Sequence, residues 1–126
     1  MSEVHTALIV EDDEDLATIF AEALRAAGYV TEMIASGDSA MARLGASTPN
    51  VVVLDLHLPK IAGTGILRQV RSDIRLSGTR VVIVTADARM AETTRDAADL
   101  VLVKPISFGL LRDLTARFKV DSQPKV

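Results

Sequence analysis

The segment VVVLDLHLP, Val51 to Pro59, places four aliphatic residues directly before an aspartate, Asp55. Four such residues are too few for a helix, and a run without polar alternation is typical of a strand covered on both faces. Val81–Val84 repeats the pattern and ends in Thr85. Strands buried on both faces occur in parallel sheets, whose crossover helices lie above and below, so this pattern predicts an α/β fold.

Three more apolar runs extend this sheet to five predicted strands, and segments with helical spacing separate them. The predicted strands are Ala7–Val10, Val30–Ile34, Val51–Leu54, Val81–Val84 and Leu100–Val103. The predicted helices are Leu16–Ala27 with a stop at Gly28, Ser39–Leu44, Gly65–Arg71, a weak Arg89–Ala97, and Phe108–Val120 after an N-cap at Ser107. This alternation predicts a single doubly wound five-stranded parallel sheet, with the mixed run Val30–Ile34 at an edge.

Length and composition limit the possible functions. A chain of 126 residues fits one domain, predicted over residues 1–120 with a frayed tail at 121–126. With 14 Lys and Arg against 17 Asp and Glu, the net charge of -3 disfavours direct nucleic-acid binding. The sequence has no cysteine, no recognisable leader and no apolar run of membrane length. We therefore expect a cytoplasmic protein without a membrane segment.

Polar residues follow four of the five predicted strands. In chain order they are Glu11 and Asp12, Asp55, Thr85, and Lys104. Ligand sites of open α/β sheets lie beyond the carboxyl ends of the strands. If the strand order is 2-1-3-4-5, the first and third strands are neighbours about 4.8 Å apart, which brings Glu11, Asp12 and Asp55 together.

Three carboxylates this close need positive charge beside them. At about 5 Å and an effective dielectric constant of about 20, each like-charged pair repels by about 3 kcal/mol. Lys104 is one source of positive charge and a hard divalent cation is another, and oxygen ligands favour Mg²⁺. Carboxylates, Mg²⁺, the Thr85 hydroxyl and the Lys104 ammonium together suit phosphoryl transfer, which needs mainly positioning and charge neutralisation.

Four motifs in a fixed order point to a family. They are LIVEDD (Leu8–Asp13), VVVLDLHLPKIAG (Val51–Gly63), VVIVTA (Val81–Ala86) and LVLVKP (Leu100–Pro105). With them the chain resembles a response regulator receiver domain of two-component signalling, the group that includes the bacterial chemotaxis regulator. The resemblance covers Thr6–Lys119 and implies a flavodoxin-like fold.

The resemblance also implies roles for the residues at the strand ends. Asp55 would accept a phosphoryl group from a partner phosphohistidine and hold it as an acyl phosphate. Asp12 would bind Mg²⁺ directly, together with Asp55. Glu11 would act directly or through water, and His57 would contribute its backbone carbonyl. Loss of the phosphoryl group would be self-catalysed, so the resemblance implies a phosphoacceptor domain and not an ordinary enzyme.

The remaining motif residues receive supporting roles from the same resemblance. Thr85 would hydrogen-bond the phosphoryl group, and Lys104 would pair with it. Pro105 would follow a cis peptide bond, and Gly63 would shape the loop after Asp55. Asp87, two residues after the threonine, would share with His57 an influence on phosphoryl lifetime.

Partners also follow from the resemblance. A histidine kinase or phosphotransfer protein would supply the phosphoryl group. An output protein or domain would bind the fourth helix, fifth strand and fifth helix. We expect no contact with nucleic acid or membrane, and a monomer or weak dimer.

Two departures from the family pattern leave alternatives open. Val101 stands three residues before Lys104, where the family often has an aromatic residue, and only 18 residues separate Thr85 from Lys104. The fourth helix should therefore be short or irregular. A pseudo-receiver that binds partners without switching is one alternative. Others are a haloacid-dehalogenase-type Mg²⁺ phosphatase, which would need an aspartate where His57 stands, and a flavin binder, which an acidic pocket disfavours.

Overall fold

The computed structural model describes residues 4–58 and 61–121, with side chains as far as Lys119. In these residues five strands alternate with five α-helices. The strands are β1 (Thr6–Val10), β2 (Val30–Ile34), β3 (Val51–Asp55), β4 (Arg80–Thr85) and β5 (Leu100–Val103). The helices are α1 (Glu14–Ala26), α2 (Gly37–Ala46), α3 (Gly63–Ser72), α4 (Ala88–Thr94) and α5 (Phe108–Asp121), and a 3₁₀ turn occupies Ile74–Leu76.

The five strands form one parallel sheet in the order β2-β1-β3-β4-β5. This confirms the predicted doubly wound, flavodoxin-like α/β fold. β3 is buried along its whole length, whereas β2 lies at an edge and has a mixed burial pattern. In the register of the central strands, Val10 lies opposite Leu54, and Asp55 lies opposite Val84. The end of β1 therefore lies beside the end of β3.

Hydrophobic cores cover both faces of the sheet. On one face, α1 and α5 pack through Phe20, Leu24 and Leu111. On the other face, Leu44 of α2 and Ile66 of α3 belong to a second buried cluster. Because aliphatic side chains fill both faces, polar groups gather at the ends of the strands.

Four helices begin earlier than predicted, α1, α2 and α3 by two residues and α4 by one. α2 starts at Gly37 and not at Ser39, and α3 starts at Gly63 and not at Gly65. The residues before them have extended backbone and act as N-caps, so both glycines lie inside the first turn. Glycine is a poor helix former, which is why the sequence favoured a later start for α2. The stop of α1 was predicted correctly, since Gly28 follows it with φ of 101°.

The shortness of α4 is confirmed, and the helix ends at Thr94, three residues before the predicted Ala97. The hydroxyl of Thr94 donates to the carbonyl of Met90 at 2.9 Å. The Nε of Arg71 on α3 donates to the carbonyl of Ala97. That bond holds the chain after Thr94 in a turn, which replaces a further helical turn.

Polar contacts fix the start and the middle of α5. Ser107 accepts from the backbone N–H of Leu110 at 3.2 Å, as the predicted N-cap should. The buried Tyr29 hydroxyl donates to the Thr115 carbonyl at 2.8 Å. The helix extends to Asp121, and residues 122–126 of the predicted frayed tail lie outside the described residues. No helix in the described ranges is long and apolar enough to cross a membrane.

Asp99 anchors the start of β5 to β4 and α3. Its carboxylate accepts from the Val81 backbone N–H at 2.7 Å and pairs with Arg71 at 2.8 Å and Arg80 at 3.4 Å. Burial alone raises the pKa of Asp99, but the hydrogen bonds from Val81 and Arg71 outweigh it, so the pKa is lowered. The ionised form is therefore the one that stabilises the fold.

Replacing Asp99 by Ala should lower the free energy of unfolding by about 1–3 kcal/mol at neutral pH, because the Val81 N–H loses its partner. The folded pKa lies below the unfolded value of about 3.9. The difference between wild type and variant should therefore persist above pH ~4 and shrink as the pH falls below it. Urea unfolding at several pH values measures this.

Asp96→Ala is the matched control. Asp96 is exposed, and its side chain has no hydrogen bond or ion pair with the described part of the chain. Its replacement should change the free energy of unfolding by less than about 0.5 kcal/mol. Equal effects of the two substitutions would refute the anchoring role of Asp99.

Candidate functional site

Three carboxylates meet where β1 and β3 end. Glu11 and Asp12 follow β1 directly, and Asp55 is the last residue of β3. One oxygen from each carboxylate can be chosen so that all three lie within 4.8 Å of one another. Glu11 and Asp55 are buried, with relative exposures of 2% and 3%, whereas Asp12 is exposed. The predicted meeting of these side chains is thus found in the structure.

Backbone hydrogen bonds hold the two buried carboxylates. The Glu11 N–H donates to the Ile34 carbonyl at 3.0 Å, which ties the residue to β2. The Glu11 Oε2 accepts from the Asp13 N–H at 3.2 Å. The Asp55 Oδ1 accepts from the His57 N–H at 3.1 Å. His57 is exposed, and its hydrogen bond to Asp55 comes from the backbone.

Lys104 brings the ammonium group of the site. It follows β5, and its backbone N–H donates to the Thr85 carbonyl at 2.7 Å. Its Nζ lies 2.9 Å from Glu11 Oε1 and 3.8 Å from Asp55 Oδ2. The predicted cis peptide bond between Lys104 and Pro105 is present. The sequence predicted a cation beside the acids but not its closer pairing with Glu11.

Thr85 lies at the same edge but does not touch the carboxylates. Its side chain is fully buried at the end of β4. Its Oγ1 accepts from the Asp87 N–H at 3.0 Å, and within the described ranges it makes no hydrogen bond to Glu11 or Asp55. Asp87 in turn accepts from the backbone N–H of Arg89 at 2.9 Å, so Thr85 is linked to the first turn of α4.

The charge balance at the site is unfavourable for three ionised acids. Burial raises the pKa of Glu11, the hydrogen bond from Lys104 lowers it and the neighbouring Asp55 raises it, and the net result is a pKa of about 7. One ammonium therefore faces two buried carboxylates and the exposed carboxylate of Asp12. A second cation would remove the remaining repulsion.

The donor set fits a hard divalent cation. Carboxylate oxygens are the ligands that Mg²⁺ prefers, and the described residues bring no sulfur or imidazole group to the cluster. Because Asp12 is exposed, the cluster also stays open to water and to a ligand that carries oxygens. Such a site can bind Mg²⁺ and an oxyanion together.

Two glycines bring backbone segments close to the site. A Cβ on Gly63 would overlap the Asp55 carbonyl oxygen and lie 2.6 Å from the Leu56 Cα, which agrees with the predicted role of Gly63 in this loop. Gly37 makes a similar approach to Ile61. The approach of Gly37 was not predicted from the sequence, although a glycine next to a potential N-cap, Ser36, was a visible signal.

Comparisons with known proteins identify a single family. Residues 7–116 match the response regulator receiver domain family. The sensory transduction protein RegX3 of Mycolicibacterium smegmatis is 36% identical over 115 residues, which are 89% of this chain and 48% of that protein. The chain spans about half the length of the curated relatives it matches.

Solved structures of response regulators have a similar fold. A putative response regulator from Chloroflexus aurantiacus is similar with a TM-score of 0.85 at 27% identity, covering 94% of this chain and 99% of that one. A CheY-like response regulator receiver domain from Methylobacillus flagellatus gives a TM-score of 0.81 at 26% identity, covering 92% and 99%.

Glu11→Gln should change how stability depends on pH. The Glu11 pKa is about 7 in the folded chain and 4.5 without burial, so the folded state holds more protons between these values. Wild-type stability should therefore fall as the pH rises through this range, by up to about 3 kcal/mol. The Glu11→Gln variant should not lose this part of its free energy of unfolding between about pH 5 and pH 8. Urea unfolding at these two pH values, in the presence of EDTA, measures the difference.

Glu14→Gln serves as its control. Glu14 is an exposed acid in the first turn of α1, close in sequence but outside the cluster. This variant should keep the wild-type dependence on pH. A Glu11→Gln variant that loses as much stability as wild type between the two pH values would contradict the burial effect.

Proposed function

The chain belongs to the response regulator receiver domain family, as its four motifs predicted, and we propose that Asp55 accepts a phosphoryl group from a partner phosphohistidine in a Mg²⁺-dependent reaction. The strongest support is the meeting of Glu11, Asp12 and Asp55 with the Lys104 ammonium at one end of the sheet. In the described residues no other group of three acidic, histidine or cysteine side chains brings its ligand atoms within 4.8 Å of one another.

The residues that would hold Mg²⁺ are Glu11, Asp12 and Asp55, with the backbone carbonyl of His57. When bound, Mg²⁺ supplies positive charge beside the phosphoryl oxygens. Glu11 is held on two sides, by the Asp13 N–H and the Lys104 ammonium. The orientation of the Glu11 carboxylate is therefore fixed in the absence of a ligand.

Asp55 would be the nucleophile. One of its carboxylate oxygens forms a bond to phosphorus while the bond from phosphorus to the histidine nitrogen of the partner breaks. The electron pair of that bond returns to the imidazole. Positioning accounts for most of the rate in such transfers. The burial of Asp55 and its hydrogen bond from His57 restrict the carboxylate to few orientations.

Lys104 and Thr85 would stabilise the transferred group. The Nζ of Lys104 already lies 3.8 Å from Asp55 Oδ2, so a phosphoryl group there comes within reach of it. The Thr85 Oγ1 accepts from the Asp87 N–H, which leaves the hydroxyl proton of Thr85 free to donate to a phosphoryl oxygen. Both groups act on charge that develops during transfer.

Loss of the phosphoryl group would be catalysed by the same site, with water as the attacking group. The exposed His57 side chain and the Asp87 side chain lie two residues beyond Asp55 and Thr85, where they can influence access of water. The domain is therefore proposed to be a regulatory phosphoacceptor with self-catalysed phosphorylation and dephosphorylation.

Phosphorylation would change the binding of a partner to the surface formed by α4, β5 and α5. A phosphoryl group on Asp55 would carry about -1.5 to -2 charges beside Thr85, in place of the single charge of the carboxylate. Thr85 is linked through the Asp87 N–H to the cap of α4, which has only seven residues. Exposed apolar side chains suited to a partner lie next to this region: Val103, Phe108 and Leu110.

The partners are proposed from the family. A histidine kinase or phosphotransfer protein would donate the phosphoryl group, and an output protein or domain would respond. RegX3 is a sensory transduction protein and MtrA a DNA-binding response regulator, but the chain matches only about half of each. We propose residues 1–120 as the receiver domain, in a cytoplasmic monomer or weak dimer that does not itself bind nucleic acid or membrane.

A pseudo-receiver is the second candidate. Val101 replaces the usual aromatic residue in β5 and packs, partly buried, against the core on the α4 face. No aromatic ring at this position can link Thr85 to the output surface. A pseudo-receiver would keep the site and its chemistry but would not change shape. The phosphatase and flavin-binding alternatives receive no support from the family.

Asp55→Asn should abolish phosphorylation. We expect wild-type protein treated with acetyl phosphate and MgCl₂ to gain the mass of one phosphoryl group, and to lose that gain when EDTA replaces Mg²⁺. The Asn variant should gain nothing, because its amide is not a nucleophile. Intact mass spectrometry measures both.

Asp96→Asn is the matched control, since it removes an exposed carboxylate outside the cluster and should be phosphorylated like wild type. Phosphorylation of Asp55→Asn at the wild-type level would refute the acceptor assignment. Amide NMR spectra with beryllofluoride separate the two candidates. A switching receiver should show shifts from Asp87 through α4, whereas a pseudo-receiver should show them only beside Asp55.

A further inference from the structure

A groove lies between α3 and α4, outside the carboxylate cluster. Its volume is about 520 Å³, within the roughly 300–1,000 Å³ that is typical of small-molecule sites. The groove is open because α4 has only seven residues and ends at Thr94. The Arg71 Nε donates to the Ala97 carbonyl, which holds the chain after Thr94 in a turn. Ala97 lines the groove opposite Ser72, the last residue of α3.

The wall of the groove is mostly apolar. Leu67 of α3 and Thr94 of α4 both line it, and each is only 5% exposed. Thr64, one turn before Leu67, is half-buried, and its hydroxyl makes no hydrogen bond within the described ranges. A mostly apolar wall with a few polar groups is typical of a site for an organic molecule.

The groove carries one positive charge that no acid balances. The guanidinium of Arg71 is fully engaged, because it pairs with Asp99 at 2.8 Å and donates to the carbonyls of Thr79 and Ala97. Arg68, also on α3, is exposed and has no hydrogen bond or ion pair with the described part of the chain. None of the described lining residues is acidic. The groove therefore favours an anion.

The size and charge of the groove limit the class of ligand. A guanidinium binds a carboxylate through two parallel hydrogen bonds. The single charge of a carboxylate matches Arg68, whereas a phosphate monoester carries about -1.5 to -2 charges, of which only one would be balanced. The seven residues of α4 span about 10 Å, which is shorter than a helix of three turns at about 16 Å. A small molecule therefore fits better than a helical peptide.

We propose that the groove between α3 and α4 binds a small organic acid. Its carboxylate pairs with Arg68, and its apolar part lies against Leu67 and Thr94. The site is separate from Glu11, Asp12 and Asp55, and neither Mg²⁺ nor phosphorylation takes part in binding. The proposal therefore stands or falls independently of the function proposed for Asp55.

The test titrates two monocarboxylates, hexanoate and benzoate, into the full chain in EDTA, and amide NMR follows the resonances. At least one of the two acids should give saturable shifts at millimolar concentrations in residues 64–72 of α3 and 93–97 after the middle of α4. Acetate, which lacks the apolar part, and hexanol, which lacks the charge, should bind more weakly.

Arg68→Gln is the decisive variant. It should weaken the binding of the acid by about fivefold, which is the upper range for an exposed ion pair. Arg117→Gln is the matched control, since Arg117 is also exposed and unpaired within the described residues but lies on α5, at the opposite face of the sheet. This variant should bind like wild type. Both variants should unfold at the wild-type temperature, because neither side chain has a polar partner in those residues.

Three results would overturn the proposal. The first is the absence of saturable shifts in α3 and α4 with both acids. The second is equally strong binding of acetate or hexanol, which would show that the groove does not recognise an acid with an apolar part. The third is unchanged affinity in Arg68→Gln, which would show that Arg68 does not bind the carboxylate.

Discussion

The whole site depends on one ammonium group that faces two buried carboxylates. The Lys104 Nζ is 2.9 Å from Glu11 and 3.8 Å from Asp55, and both acids are almost fully buried. Buried carboxylates are costly unless they are paired. With Asp12 beside them the negative charge is only partly offset, and burial together with the neighbouring Asp55 raises the pKa of Glu11 to about 7. The fold keeps an arrangement that a further cation would stabilise.

The sheet makes this arrangement possible because it joins residues that are far apart in the chain. Glu11 and Lys104 are separated by 93 positions, yet they form a hydrogen bond. The order β2-β1-β3-β4-β5 places the ends of β1 and β3 side by side, and the Lys104 N–H is bonded to the end of β4. Aliphatic residues fill both faces, so the strands cannot slide without exposing the core. The rigid sheet therefore fixes the distances among charged groups.

The sequence predicted those features of the fold and the site that depend on residues close together in the chain. Uninterrupted apolar runs such as Val51–Leu54 predicted the strands. The polar residues directly after three of these runs, Glu11, Asp55 and Lys104, were predicted to form the functional site. Contacts between distant segments left no such signal. The approach of Gly37 to Ile61, and the hydrogen bonds of Arg71 that end α4, depend on how separate helices pack. The closer pairing of Lys104 with Glu11 depends on side-chain geometry that spacing along the chain does not contain.

Isothermal titration of MgCl₂ into metal-free protein tests the cation site most directly. We expect one Mg²⁺ site in the wild type, loss of that site in Asp12→Asn, and an unchanged site in Asp13→Asn, whose side chain caps α1. Wild-type protein that binds no Mg²⁺, or an Asp12→Asn variant that binds it as well as wild type, would contradict the claim that these carboxylates form a cation site.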